Sequence, residues 1–435
     1  MNEYLVLPGC DDTNRGDQAL IWETVNLAKE AGFDGKYYML ASEEFSKQSE
    51  KKGISHICHI LKHPSEHFNS DDNMYYTKML KLKWGAVALF DFITTYPLLK
   101  PVLRKILLPL YNNEIKNSIK HYSSASASFV KGGGFLHAYG GFEETYKIYY
   151  FLYHINLALS FGQDVYVMPN SFGPFNAPFV KKMINKTLSK CKVVTSRESI
   201  SNEALKKCDI EAINMPDLAF YLEKENFECI KSRLIEQNIP IGEKKCVAIT
   251  ARPYRFPGEN DPDTLYQSYI NEFRKFALWL IDNDFYPVFV EHVSSNLVHE
   301  DDMSAIKEII KYLPQNKKWS VFRDTTLNCQ EMKSVYSCFD YTVGTRFHSV
   351  IFSLSEQVPS IAITYGGNKG QGIMKDIKMS EYSIDIKDVN KETLVNKFKT
   401  VVENTDAIEK ELANVKIDMY NQRKQFIKKI GKVNN

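Results

Sequence analysis

The sequence predicts an α/β protein of two doubly wound parallel-sheet domains facing across a cleft, followed by a long helical segment. Three observations carry that prediction. Short Val/Ile-rich runs alternate with longer amphipathic segments, the pattern of strands covered by helices on both faces. The alternation comes in two blocks, separated by a charged stretch after Phe220. The chain has 435 residues, which suits two domains at roughly 100–200 residues each. The domains are expected at 1–221 and 222–390, with helices over 391–435 and a helical insertion at about 71–120.

In chain order, the first block predicts strands at 3–7, 36–40, 126–131, 164–168 and 192–195. The second predicts strands at 245–250, 286–290, 340–343 and 360–364. Helices are expected between them at 17–31, 142–161, 176–190, 199–207, 262–283, 299–312 and 345–355, and then over 392–430. The last of these ends basic, with Arg423, Lys424, Lys428, Lys429 and Lys432.

Composition narrows the function. Lys+Arg number 55 against 53 Asp+Glu, a balance that excludes a general nucleic-acid binder, whose domains carry a basic excess. The eight cysteines include no Cys-x-x-Cys pair, so neither a zinc ribbon nor a redox motif is expected, and they read as core residues of a reducing compartment. The chain opens directly on Tyr4-Leu5-Val6-Leu7 without a basic and then apolar leader. No apolar run reaches the ~20 residues of a membrane span. A cytoplasmic protein is the expectation. His56, Cys58, His59, His63 and His67 crowd together, but Pro64 interrupts the helix that would align them, and the spacing matches no closed zinc pattern. No metal is expected.

In such sheets, ligands bind beyond the carboxyl ends of the strands, where helix N-termini present free N–H groups to anions. After the first strand, Asn14-Arg15-Gly16-Asp17 reads either as a tight turn with Asp17 capping the next helix or as a ligand loop. Gly132-Gly133-Gly134 lets backbone approach a ligand or another loop. Asn170 and Ser171 follow the 164–168 strand, and Arg197 follows the next. Gly173-Pro174 reads as punctuation before a helix. The most informative segment is Thr345-Arg346-Phe347-His348. Thr345 can cap a helix whose first turn holds Arg346 and His348, a pair able to flank an anion and move a proton near neutral pH. Tyr365 and Lys369 lie on a glycine-rich loop after the 360–364 strand.

Taken in order, Asn14-Arg15-Gly16-Asp17, Gly132-Gly133-Gly134, Gly173-Pro174, Arg197, Asp217-Leu218-Ala219-Phe220, Arg346-Phe347-His348 and Tyr365 with Lys369 resemble the polysaccharide pyruvyl transferase family across roughly residues 3–370. The resemblance implies a GT-B architecture of two Rossmann-like domains, acceptor side first and donor side second. It implies phosphoenolpyruvate as co-substrate, no cofactor, and a pyruvate ketal built on a sugar of a capsule or exopolysaccharide, or on its lipid-linked precursor. Arg197 and Arg346 would bind the donor and His348 would transfer the proton. Asn14, Asp17, Gly133, Gly134, Asn170, Ser171, Tyr365 and Lys369 would line the substrates. The chain departs from the family at Asn170-Ser171-Phe172, where Gln often precedes Gly-Pro, and by one extra residue between Tyr365 and Lys369. A nucleotide-sugar glycosyltransferase of the same architecture and a non-catalytic polysaccharide-assembly subunit are the two other readings. Nothing in the sequence sets an oligomeric state.

Residues 74–111 match nothing in that pattern. They are basic, aromatic and broken by Pro97, Pro101 and Pro109. Two readings fit: a hairpin packed on the first domain, or a segment that lies on the cytoplasmic face of the inner membrane beside a lipid-linked acceptor.

Overall fold

The computed structural model describes all residues except 63–77, 296–297, 315–317, 367 and 432–435. His63, His67, the start of the 71–120 insertion and Lys432 therefore lie outside the described residues. The chain forms two compact units. One comprises Met1–Asp12, Leu20–Leu218 and Gln422–Asn435, and the other Thr13–Ala19 with Ala219–Asn421.

The first unit is built on β1 (Glu3–Leu7), β2 (Lys36–Leu40), β3 (Ile54–Ile57), β4 (Ala125–Val130), β5 (Gly133–Ala138), β6 (Asp164–Phe175), β7 (Val193–Ser196) and β8 (Ile213–Asn214). Their order is β3-β2-β1-β4-β6-β7-β8, with β5 paired to β6, and every pairing is parallel. The second unit holds β9 (Lys245–Thr250), β10 (Phe285–Val290), β11 (Ser320–Phe322), β12 (Tyr341–Gly344), β13 (Ser360–Thr364) and β14 (Ser383–Asp385). They run parallel in the order β11-β10-β9-β12-β13-β14.

The nine expected strands form where the apolar runs lie. β3, β5, β8, β11 and β14 were not expected. Four of them have five residues or fewer, too short for a period to register. β5 was masked by its glycines. Gly133 takes φ +139 and pairs with Asn170, so the triplet opens an extra strand instead of a bare loop. Gly173-Pro174 likewise sits inside β6 and does not punctuate a helix.

Helix starts follow local chemistry. Asp261 accepts from the Thr264 N–H ahead of Pro262. Asn328 and Glu331 form a reciprocal capping box. The helix Arg15–Glu30 is capped by Asn14, not by Asp17 as expected. Asn14 Oδ1 accepts from the Asp17 N–H (3.2 Å), and Asn14 Nδ2 donates to the Asp17 carboxylate (3.0 Å). The shift follows from geometry, because a cap must sit three residues before the N–H it satisfies.

The 391–435 segment does not stand apart. Helix Lys391–Glu403 packs Phe398 among Phe276, Trp279, Phe285 and Tyr341 of the second unit. The end of helix Thr405–Ile430 belongs to the first unit, where Arg423 pairs with Glu23 (3.3 Å) and Glu30 (2.6 Å).

Candidate active site

The site is legible in the second unit as a row of residues that follow parallel strands. Arg252 comes just after β9, His292 after β10, Arg346 after β12 and Tyr365 after β13. β9 lies between β10 and β12, so connections leave it in opposite directions, and such a switch point opens a crevice at the carboxyl edge.

Backbone and hydroxyl bonds lace this edge together. Thr345 is not the expected cap. Its hydroxyl donates to the Thr250 carbonyl (3.0 Å) and accepts from the Arg252 N–H (2.9 Å). The neighbouring strand end claims the hydroxyl first, and the helix begins at Phe347 with Arg346 as its extended N-cap residue. Thr250 Oγ1 accepts from the Arg346 N–H (3.3 Å) and shares a hydrogen bond with Ser349 Oγ (3.0 Å).

Arg346 is held from below. Its Nε donates to Asp302 Oδ1 (2.7 Å) and its Nη2 to the Glu300 carbonyl. Asp302 is fully buried, and its second oxygen accepts from the N–H groups of His292 (3.0 Å) and Val293 (2.9 Å). Burial pushes the Asp302 carboxyl above the usual carboxylate range, while the Arg346 charge pulls it back. The bonds fix the plane of the guanidinium and leave its other N–H donors for a ligand.

His348 occupies the first turn of helix Phe347–Ser355, where the dipole favours anions. Its ring lies directly against Gly16. A Cβ at residue 16 would fall 2.2 Å from His348 Nδ1 and 2.5 Å from Cγ. The Asn14–Asp17 turn thus belongs with the residues of the second unit and is anchored among them. Asn14 bridges to Val293, Arg15 Nη2 donates to the Thr325 carbonyl (2.8 Å), and Gln18 accepts from the Cys329 N–H (2.7 Å). The sequence boundary at 1–221 had put this loop in the first domain, whereas Thr13–Ala19 clusters with the second unit.

His292 is a second histidine at this edge. It is buried, with Nδ1 on the Tyr336 hydroxyl (3.1 Å) and Nε2 without a hydrogen-bond partner. Burial, and then the neighbouring His348, Arg346 and Arg15, hold its pKa well below the ordinary value. Arg252 donates Nη1 to the Tyr365 hydroxyl and stacks 4.6 Å from that ring's centroid. Its Nε is buried with no partner. Half-buried His299 is also depressed, by burial and by Arg255 nearby. Arg252, Arg255 and Arg346 thus gather at this edge, with Asp302 and Glu300 among them. Lys369 sits in the first turn of helix Asn368–Asp376, which follows β13.

In the first unit the predicted residues are drawn into hydrogen bonds with their own neighbours. Arg197 is buried, with Nη1 on Asp217 (2.6 Å) and Nε on Ser171 Oγ (2.7 Å). Ser171 in turn donates to Glu198 (2.9 Å). Asn170, also buried, donates to the Lys131 (2.8 Å) and Met168 (2.9 Å) carbonyls. Gly133 and Gly134 belong to β5. Arg197, Ser171, Asp217 and Glu198 thus bond to one another, while Asn170 Oδ1 finds no hydrogen-bond partner among the described residues.

Arg252, His292 and Asp302 were overlooked in the sequence. The first two carried a signal, since each stands two residues past a predicted strand, much as Arg346 stands three past its own. Asp302 carried none, because nothing local marks a carboxylate that will meet an arginine 44 residues later.

A family model described as polysaccharide pyruvyl transferase matches residues 14–367. The chain belongs to that family. Among curated relatives of this transferase family, the amylovoran biosynthesis protein AmsJ of Erwinia amylovora is 26% identical over 314 residues, spanning 71% of this chain and 72% of that one. Solved structures share the fold at low identity. UDP-GlcNAc 2-epimerase from Neisseria meningitidis superposes with TM-score 0.55 at 10% identity, covering 98% of this chain and 99% of its own. Trehalose-6-phosphate synthase OtsA gives 0.55 at 10%, covering 100% and 99%. The fold of this pyruvyl transferase family member is accordingly GT-B-like.

Proposed function

We propose that the protein forms a pyruvate ketal on a sugar of a cell-surface polysaccharide or its lipid-linked precursor, with phosphoenolpyruvate as donor and phosphate as leaving group. The observation that carries this reading is the carboxyl edge of the second sheet, where Arg346, Arg252 and His348 surround the start of a helix. Phosphoenolpyruvate has two anionic groups, and this edge offers two planar guanidinium groups and helix N–H donors for them.

His348 donates a proton to the methylene carbon, making C2 electrophilic. One sugar hydroxyl attacks C2, and a second hydroxyl on the same sugar displaces phosphate. Two C–O bonds form and one C–O bond to phosphate breaks. Of the two hydroxyl protons, one replaces that given to carbon and the other leaves with phosphate. Arg346, oriented by Asp302, and Arg252 stabilise the developing charge. Arg197 is assigned to the framework, since it is buried in the first unit against Asp217 and Glu198.

The test is phosphate release from phosphoenolpyruvate with a panel of sugar diols, and mass spectrometry of the acceptor. Release that depends on a diol supports the reading. Activity that requires a nucleotide sugar, with phosphoenolpyruvate inert, overturns it.

A further inference from the structure

The insertion in the first unit presents an apolar face to solvent. Helix Lys78–Thr95 turns Leu82, Leu89, Phe90 and Ile93 outward, and helix Pro101–Leu107 adds Val102 and Ile106. These six side chains are 61–72% exposed. At about 100° per residue, those of the first helix fall within one third of its circumference. Asp91 and Thr95 lie on the opposite face and are buried. This inverts the usual surface helix, whose outer face is polar.

The two helices are fastened from beneath. Arg104 Nη1 donates to the Leu98 carbonyl (3.0 Å) and to Ser160 Oγ (2.7 Å), and its guanidinium lies 3.5 Å from the Phe161 ring centroid. The Tyr153 hydroxyl donates to the Thr95 carbonyl (3.1 Å). Phe90 and Leu110 also line a cavity of about 580 Å³, together with Asp91 and Thr95 of the buried face. Among the described residues no single helix is long and apolar enough to cross a membrane. Leu82–Leu99 and Pro101–Leu110 pass that test only as a pair bent by 110°.

Charge selects the occupant. Lys83, Lys100 and Lys105 are exposed around the apolar stripe, and residues 78–111 contain one acid, the buried Asp91. A second copy docked on the same patch would bring like charges together, whereas an anionic bilayer offers both an apolar layer and complementary charge. We infer that this face docks the protein on an anionic lipid surface, lying in the interface without spanning it. The inference stands apart from the chemistry proposed above.

Flotation of the full chain with phosphatidylcholine vesicles, with and without phosphatidylglycerol, tests it. The protein should float with the anionic vesicles, more weakly with phosphatidylcholine alone, and less as salt rises. Lys83→Gln/Lys100→Gln/Lys105→Gln should lower the partition coefficient on the order of 100-fold, at about fivefold per lysine. Leu89→Gln/Phe90→Gln should lower it independently of salt. Failure of the wild type to float overturns the inference. So does unchanged flotation of both variants whose thermal melts match the wild type. A concentration-dependent dimer abolished by Leu89→Gln/Phe90→Gln would assign the face to a second copy and overturn it as well.

Discussion

Gly16→Ala tests the packing of the site most directly. The new Cβ would stand 2.2 Å from Nδ1, 2.5 Å from Cγ and 2.8 Å from Cβ of His348. Ordinary contact between heavy atoms is ~3.5–4.0 Å, so the ring must retreat by more than about 1 Å. The atoms met include the root of the side chain, so a rotamer change alone does not relieve the crowding. Helix propensity by itself would make the substitution stabilising by up to about 1 kcal/mol. Crowding costs about 1–3 kcal/mol. The net expectation is a loss of about 1–2 kcal/mol in urea unfolding. On the proposed mechanism, displacing His348 by about 1 Å should lower turnover roughly 10²-fold, against ~10²–10⁴ for His348→Ala. Phosphate release from phosphoenolpyruvate reads the second effect. In the His348→Ala background the ring is gone, so adding Gly16→Ala should cost little further turnover. A Gly16→Ala protein that is more stable than wild type and fully active would show that the ring does not rest on residue 16.

Asp302→Ala should destabilise the second unit by about 3–5 kcal/mol, because it strands Arg346 and two buried N–H groups; a loss below about 1 kcal/mol in urea unfolding would refute the pairing. Arg197→Ala should cost a similar ~3–5 kcal/mol by leaving Asp217 and Glu198 buried without their cation. Arg197→Lys, which keeps the charge, should restore part of that stability, and recovery no better than with alanine would argue against the ion pair. Burial holds the His154 pKa down at about 3. The unfolded chain takes up that proton near the ordinary ~6.5, so stability is full above that pH and is lost as pH falls toward the folded value. The loss should be roughly 3 kcal/mol between pH 7 and 4, and His154→Gln should remove it; an unchanged pH slope in that variant would rule the assignment out.

Local chemistry in the sequence determined much of this protein. Short apolar runs mark the buried strands, so β1, β2, β9 and β13 fall where their residues require. The motif order carried the family, and the strand-end rule pointed to Arg346 and His348, because a parallel sheet puts every carboxyl end on one edge. The same rule, applied evenly, would have reached Arg252 and His292. The tertiary structure decided what those residues touch. Arg197 and Arg346 have similar sequence settings, each just past a strand and before a helix. Arg197 is buried and paired with Asp217 beside Glu198, whereas Arg346 is paired with Asp302 and remains partly exposed. Gly16 reads locally as a turn residue, and only the arrival of His348 from 332 positions away makes its missing side chain necessary. Periodicity and capping act within a few residues along the chain, so they are written in the sequence. Pairing of buried charges and contact between rings and backbone depend on which distant segments meet, and that is settled only when the sheets assemble.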